Sequence, residues 1–348
     1  MTGRPRRRWL RRIGTAAAAL AVLTAGAFFL RDFRLERAFQ RALAEGTAAA
    51  SASASATSVR VVSYNVWALP VWLPGSRSQS RLPFVPAAVA ELGADVIVLQ
   101  EAFDLDFRAF VVEALGAWQT GPRALCQEPM LRWSRKDCTG GLLTLSLFPV
   151  EEEVFRAHPL SADPKLDEKI GQKGVMLTTV QSPMGPLDVV NVHLYAGRTE
   201  ADEAERMTQV RALRDLLVEA GSFARPVLLA GDLNVVHPQL RGTGARSTVY
   251  DFFIDSLGFT DTRSQVGPSD FTYDAEHNRY AGLSYNAWEG RQVFDYVLVR
   301  VPDGFAARVV SQGRVLDGEE PLSDHYGFYV EVDISTVDSL RTTGSRGS

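Results

Sequence analysis

The sequence predicts a four-layered α/β sandwich, two packed mixed β-sheets flanked by helices, preceded by an N-terminal hydrophobic helix. Three observations carry that reading. Short apolar runs recur with turn residues between them: Val59 to Val66, Val96 to Gln100, Leu142 to Leu147, Val175 to Val180, Leu187 to His193, Pro226 to Ala230, Val293 to Val299 and Tyr326 to Val332. These runs are apolar throughout rather than alternating, the pattern of strands covered on both faces. Between some of them lie helical patterns; in Glu203–Ala220 the residues Met207, Val210, Leu213 and Leu217 form one apolar stripe with charges elsewhere. No Gly-x-Gly-x-x-Gly follows a strand, which argues against a dinucleotide-binding fold.

From the N-terminus, residues 1–44 read as a targeting segment. Arg4, Arg6, Arg7, Arg8, Arg11 and Arg12 precede an uncharged stretch from Ile13 to Leu30. As a helix it would rise about 27 Å, enough to cross a bilayer core. The flanking arginines would serve no purpose around a buried core helix. Ala25-Gly26-Ala27 has the form of a signal-peptidase site, whereas Phe28, Phe29 and Leu30 after it suit an uncleaved anchor. Both readings place the remainder outside the cytoplasm. The run Arg6 to Arg11 has the form of a twin-arginine export signal, and equally of an ordinary basic n-region. Residues 45–58 are low-complexity Ala, Ser and Thr and read as a flexible tether. The catalytic body is expected over 59–337, with 338–348 a disordered tail.

The chain is 46% hydrophobic and 22% charged, which excludes a disordered, collagen-like or polytopic membrane protein. Its net charge of −4 hides an asymmetry. The first fifty residues carry ten Arg against Asp32, Glu36 and Glu45, which leaves −11 on the rest. So acidic a body gets no help from bulk charge in holding a polyanion, although a bound cation inverts the local field.

The polar residues fall at strand ends. Asn65 closes the first run, Glu101 follows the second, His193 closes Val-Val-Asn-Val-His, and Asp232 and Asn234 follow Val-Leu-Leu-Ala-Gly. Asp295 sits in Phe-Asp-Tyr-Val-Leu, and Asp324-His325 opens the last run. Taken singly, these are turn formers, a helix N-terminal acid, a core histidine, an Asx-turn and an N-cap. Together they supply what phosphodiester hydrolysis at a hard cation requires. Glu101 and Asn65 offer oxygen ligands for Mg²⁺, which would neutralise phosphate oxygens and the leaving alkoxide. Two histidines allow a base at the attacking water and a cationic donor to the phosphate. Asp295 can orient one imidazole. His158, His237 and His277 are read as surface or loop residues.

These residues resemble the endonuclease/exonuclease/phosphatase superfamily, the metal-dependent phosphoesterases that include deoxyribonuclease I and the neutral sphingomyelinases. The resemblance runs in the family's order through Ser63-Tyr-Asn-Val-Trp, Val98-Leu-Gln-Glu-Ala, Asn191-Val-His-Leu, Leu229-Ala-Gly-Asp-Leu-Asn, Phe294-Asp-Tyr-Val-Leu and Leu322-Ser-Asp-His. It implies Glu101 as principal metal ligand with Asn65 beside it, and Asp324 at the metal and phosphate. The metal would be Mg²⁺, or Mn²⁺ or another divalent cation in its place. Asp232 would orient or activate water, Asn234 would hold a phosphate oxygen, and His325 would be the general base paired with Asp295. His193 would stabilise the phosphorane or assist the leaving group. Whether Asp232 or His325 takes the proton stays open.

Three features resemble the sphingomyelinase branch: Phe271-Thr-Tyr-Asp-Ala-Glu-His-Asn278, the Lys173-Gly-Val strand start, and Asn65-Val-Trp-Ala-Leu-Pro. They would make Lys173 and Asn278 phosphate-binding residues. A hairpin turn, a surface lysine and a core Trp67 are the structural alternatives. Cys126 and Cys138 bracket Gln127 to Asp137, and in an exported protein they read as a loop-closing disulfide. Such a loop contributes about 3 kcal/mol in the chain-entropy model. Secreted bacterial sphingomyelinases carry a long aromatic hairpin before the Ser-Asp-His motif. Here the segment from Arg300 to Leu322 is short, with Phe305 its one aromatic. Trp72 and Leu73 could offer a small apolar contact instead.

The leading expectation is a Mg²⁺-dependent, monomeric phosphodiesterase acting on a phospholipid headgroup at a membrane surface. The runner-up is an exported deoxyribonuclease-like enzyme, with Arg198, Arg241, Arg246, Arg279 and Arg291 flanking its cleft. A catalytically inactive binding domain is the third reading.

Overall fold

The computed structural model describes residues 58–69, 78–131, 134–161, 164–240, 247–263, 267, 269–284 and 286–337, all within the compact unit Thr47–Ser348. The expected N-terminal helix, the tether up to Thr57, the tail, Trp72 and Leu73 lie outside the described residues. Among the described residues no helix is long and apolar enough to cross a membrane.

In chain order the first half forms β1 (Ser58–Ala68), α1 (Ser78–Arg81), α2 (Val85–Ala90), β2 (Val96–Ala102), α3 (Leu105–Ala114), β3 (Gln119–Thr120), β4 (Gln127–Leu131), β5 (Ser134–Asp137) and β6 (Leu143–Ser146). Then come β7 (Val150–Ala157), α4 (Leu166–Gly171), β8 (Gly174–Ser182), β9 (Gly185–His193), α5 (Glu200–Glu219), β10 (Val227–Asp232), α6 (Thr248–Asp251) and β11 (Thr260–Asp261). The chain continues through β12 (Tyr273–Asp274), β13 (Arg291–Gln292), β14 (Asp295–Arg300), β15 (Phe305–Val315) and β16 (Gly327–Thr336).

The long strands make two six-stranded sheets, ordered β15-β16-β1-β2-β6-β3 and β11-β14-β10-β9-β8-β7. Both are mixed. Each has one parallel pair near its centre, β1 with β2 and β9 with β10, and antiparallel partners outside it. Side chains alternate across each strand, so the apolar runs fill two layers at once. Val59, Val61, Val96 and Val98 of the first sheet meet Val189, Leu228 and Val297 of the second between the sheets. Val62, Tyr64, Ile97 and Leu99 point outward onto Val85, Val89, Phe107 and Val111 of α2 and α3. On the far side Val210, Leu213 and Leu217 of α5 cover Val190, Val192 and Leu229. A capping box between Thr199 and Asp202 starts α5.

Every strand expected from an apolar run is present. The strands not foreseen, notably β7 and β15, lie at sheet edges. An edge strand need not be apolar throughout, and Val150–Ala157 is only half-buried.

Two further features position the site. Gln100 donates its Nε2 to Asn191 Oδ1 at 2.9 Å, and Asn191 Nδ2 donates to the carbonyls of Leu99 and Leu143, so a buried amide pair ties the sheets together. Cys126 and Cys138 form a disulfide closing the base of the β4–β5 hairpin, with Cα atoms 5.6 Å apart. Asp137 anchors the hairpin's end, accepting from the Thr139 and Gly141 N–H groups and pairing with the buried Arg108 at 3.4 Å.

Candidate active site

The carboxyl ends of both parallel pairs open onto one cavity of about 830 Å³. Asn65, at the end of β1, donates its amide to Glu101 Oε1 and to Asp232 Oδ2, each at 3.1 Å. Glu101 belongs to β2 and Asp232 to β10, so one side chain joins an acid of each sheet. Trp67, Glu101 and Asn234 all have left-handed backbones, with φ of 48°, 54° and 50°. Such conformations cost energy in non-glycine residues and cluster at functional sites. Gly231 sits at φ 151°, where a Cβ would collide with the Val192 carbonyl. Its lack of a side chain lets β10 deliver Asp232 close beside β9.

His325 enters from the loop before β16, and its Nδ1 lies 2.8 Å from Asp295 Oδ2 at the start of β14. Its Nε2 lies 3.8 Å from Asp232 Oδ2, and His193 Nε2 lies 3.4 Å from the same oxygen. Asp324 lines the cavity and accepts from Ser323 Oγ at 3.2 Å. Lys173 lines it too, its Nζ 2.8 Å from Glu168, which is itself buried. Asn234 lines the wall; its N–H donates to Asp232 Oδ1 and its Nδ2 to the Leu194 carbonyl. Trp67, Phe103, Tyr273 and Phe294 give the cavity aromatic surfaces.

The electrostatics are those of crowded acids. Burial raises the Glu101 carboxyl, and Asp232 adds to the rise against Lys173 and the Asn65 amide. Burial likewise lifts Asp232 and Asp324 to about 6, with Asp295 and Glu101 respectively adding repulsion. Burial opposes a charged His325, yet Asp295, Asp232 and Asp324 together hold its pKa at about 10. Burial drives His193 well below the ordinary imidazole value, helped by the positive fields of Lys173 and His325.

Oxygen donors packed in this way fit a hard divalent cation, whose charge would relieve their repulsion. Asp232, Asp295 and His325 also offer ligand atoms within 4.8 Å of one another, a possible metal site. The 2.8 Å hydrogen bond inside that trio occupies the space between Asp295 and His325.

The expected site residues Asn65 and Asn278 are not among the residues lining the cavity. Asn65, expected beside the metal, bonds both Glu101 and Asp232 through its NH₂, and its Oδ1 receives the Trp67 N–H at 3.1 Å. Asn278, expected at the phosphate, is not part of the cavity wall. Its Nδ2 donates to the Ser323 carbonyl and its Oδ1 caps Tyr280 and Ala281, so it braces the loop carrying Asp324. Burial and the nearby Lys173 and His325 hold the His193 imidazole well below its ordinary value, which disfavours a cationic form there. Two histidines read as surface or loop residues do lie in loops but are buried: His158, which burial depresses to about 3, and His237, stacked on Tyr296 and beside Asp261. His277 is exposed, next to Asp274.

Sequence reasoning missed Arg81. Buried at 1% exposure, it donates to the carbonyls of Val66, Trp67 and Leu322 and stacks over Trp67 and Tyr280. It thereby ties the segment carrying Asn65 to the loop carrying Asp324. An arginine that ends the polar stretch Gly75-Ser-Arg-Ser-Gln-Ser-Arg81 gives no signal of this. Of the arginines expected to flank a nuclease cleft, Arg198 pairs with Glu289, Arg279 with Glu320 and Arg291 with Glu276. Arg241 and Arg246 lie outside the described residues.

The model of the Endonuclease/Exonuclease/phosphatase family matches residues 62–325. Sphingomyelinase C of Leptospira interrogans is 25% identical over 260 residues, 69% of this chain and 44% of that protein, so the chain spans less than half the length of this relative. The crystal structure of Sphingomyelinase C from Streptomyces griseocarneus superposes with a TM-score of 0.53 at 22% identity, covering 79% of this chain and 99% of that one. D. rerio TDP2 complexed with single strand DNA product superposes with a TM-score of 0.57 at 14% identity, over 79% of this chain and 99% of its own. At such identities the structures establish the shared α/β fold. Proteins of this superfamily are hydrolases of the phosphodiesterase and nuclease type. The span of the family match, from a β1 core residue to the histidine at the site, makes this chain a member of the endonuclease/exonuclease/phosphatase family.

Proposed function

We propose that this chain is a Mg²⁺-dependent phosphodiesterase that hydrolyses a phospholipid headgroup by attack of water on phosphorus, with Mn²⁺ or another divalent cation able to substitute. One observation carries the reading: an Asp295-held imidazole faces a crowd of buried carboxylates across a cavity with aromatic walls. Glu101 and Asp324, with Asp232 beside them, would hold the cation, which when bound neutralises phosphate oxygens and the departing alkoxide.

The protein's own groups do the rest. Asp295 fixes His325 through Nδ1, leaving Nε2 toward Asp232 and the cavity. From there Nε2 takes the proton of the attacking water, and the imidazolium is steadied by Asp295 and Asp232 on either side. In the cation-free protein His325 already carries that proton. Compensation of the acids by positive charge is what frees it to act as a base. Lys173 supplies the fixed positive charge near the phosphate, Asn234 an amide donor, and His193 a neutral one.

A lipid substrate is supported by the apolar mouth, by the sphingomyelinase relative, and by the acids that neutralise Arg198, Arg279 and Arg291. The disulfide supports an exported body, with residues 1–44 as anchor or cleaved signal. A nuclease is the second reading, favoured by Arg135 and Lys136 at the cavity wall. The full chain, given sphingomyelin, phosphatidylcholine and plasmid DNA with and without Mg²⁺, tests both. Metal-dependent phosphocholine release with intact plasmid is expected; nicking without lipid turnover would move the chain to the nucleases.

A further inference from the structure

Large apolar side chains exposed singly are ordinary, but two of them line the cavity and two more each sit one residue from its wall. Leu166 and Ile170 are 71% and 43% exposed, lie four residues apart on one face of α4, and line the cavity. Leu283 and Trp288 are 63% and 67% exposed, and each adjoins a lining residue, Ser284 and Glu289. The two groups are fastened to the same loop. Lys165, just before α4, donates to the Ala196 carbonyl at 2.8 Å, and Arg198 holds Glu289 at 2.8 Å. Other exposed apolar side chains, such as Val218 and Val310, neither line the cavity nor adjoin a residue that does.

We infer that this rim, α4 together with the turns Ala281–Leu283 and Ala287–Glu289, is the surface by which the chain seats itself on a zwitterionic bilayer, with Leu166, Ile170, Leu283 and Trp288 entering the headgroup layer. The inference rests on the lipid reading above and specifies how that substrate is reached. A bilayer is the occupant because Leu166 and Ile170 belong to the wall of the cavity that would receive a headgroup, and Leu283 and Trp288 adjoin that wall. Its polar neighbours also carry both signs, Arg135 and Lys136 beside Asp106 and Asp167, as a zwitterionic layer does. Tryptophan at such a rim has its apolar ring and N–H suited to the membrane–water boundary. The segment between β14 and β16 provides no comparable feature, since β15 is paired along its length with β16 and its one aromatic, Phe305, is partly buried.

The test uses the full chain with Mg²⁺ chelated, in phosphatidylcholine vesicles whose acyl chains are brominated. The part of the emission that Trp288→Phe removes is expected to be quenched relative to unbrominated vesicles; equal emission in both would overturn the inference. With Mg²⁺ restored, the Leu283→Ser/Trp288→Ser variant is expected to lose about tenfold in vesicle-lipid hydrolysis, as partial burial of two large apolar side chains would dictate. Its rate on soluble bis(p-nitrophenyl) phosphate should stay unchanged. An unchanged vesicle rate, or an equal loss on the soluble diester, would also overturn it. Quenching without hydrolysis of any lipid would leave the surface standing and refute the lipid substrate; lipid hydrolysis without quenching would do the reverse.

Discussion

The first sheet brings Glu101 to the cavity, with Asn65 buried against it, from the ends of its parallel pair, and the second brings His193 and Asp232 from the ends of its own. The plan is the same and the chemistry differs. The first side, completed by Asp324, is acidic, with Arg81 buried behind it; the second pairs a neutral imidazole with a shared carboxylate. Three partnerships cross between them: Asn65 to Asp232, His325 to Asp295, Gln100 to Asn191. Neither sheet is competent alone, so the packing of one on the other is part of the catalytic geometry.

The sharpest break in this arrangement is His325→Ala, which removes the group joining both sides. We expect turnover to fall about 10²–10⁴-fold, with circular dichroism unchanged. Next is Glu101→Gln, which alters the acidic side alone. It should raise the Mg²⁺ concentration for half-activation about 10–100-fold, read by metal titration of activity, whereas Asn234→Ala should leave that concentration in place and lower the rate.

Asn191→Leu breaks the seam away from the chemistry. It strands the Gln100 amide in the core and should cost about 1–3 kcal/mol in urea unfolding, with a smaller loss of activity. Arg81→Met should lower kcat through both segments it ties, and partial recovery in Arg81→Lys would show that charge as well as shape matters. The smallest effect concerns acid. Burial would raise Glu203, but Arg206 and Ser247 hold it at about 2. Its contribution is therefore present above the ordinary value of 4.5 and is lost as pH falls through about 2. Glu203→Gln should flatten the acid limb of thermal stability.

Much of this was legible in the sequence because strand ends concentrate function and two-faced burial writes itself as unbroken apolar runs. Glu101, Asp232, His325 and Asp295 were readable for that reason. The partners of Asn65 and Asn278 were not, since an amide's direction depends on which groups the fold brings within 3 Å. Nor was the neutrality of His193, which follows from its burial beside Lys173 and His325. His237 does lie in a loop, but its burial was not legible because its stacking on Tyr296 and its neighbour Asp261 come from distant parts of the chain. The edge strands β7 and β15 were missed because one neighbour demands less of a sequence than two.

The central claim is that the crowded carboxylates await a cation and that His325 senses it. In the cation-free protein the His325 proton stabilises the fold, fully below about 6.5 and progressively less as pH rises through about 10. The direct measurement is the NMR titration of the His325 ring, first with Mg²⁺ chelated and then with Mg²⁺ added. The account predicts a midpoint far above the ordinary imidazole value that moves down when Mg²⁺ binds. A midpoint near 6.5 that ignores the metal would contradict it.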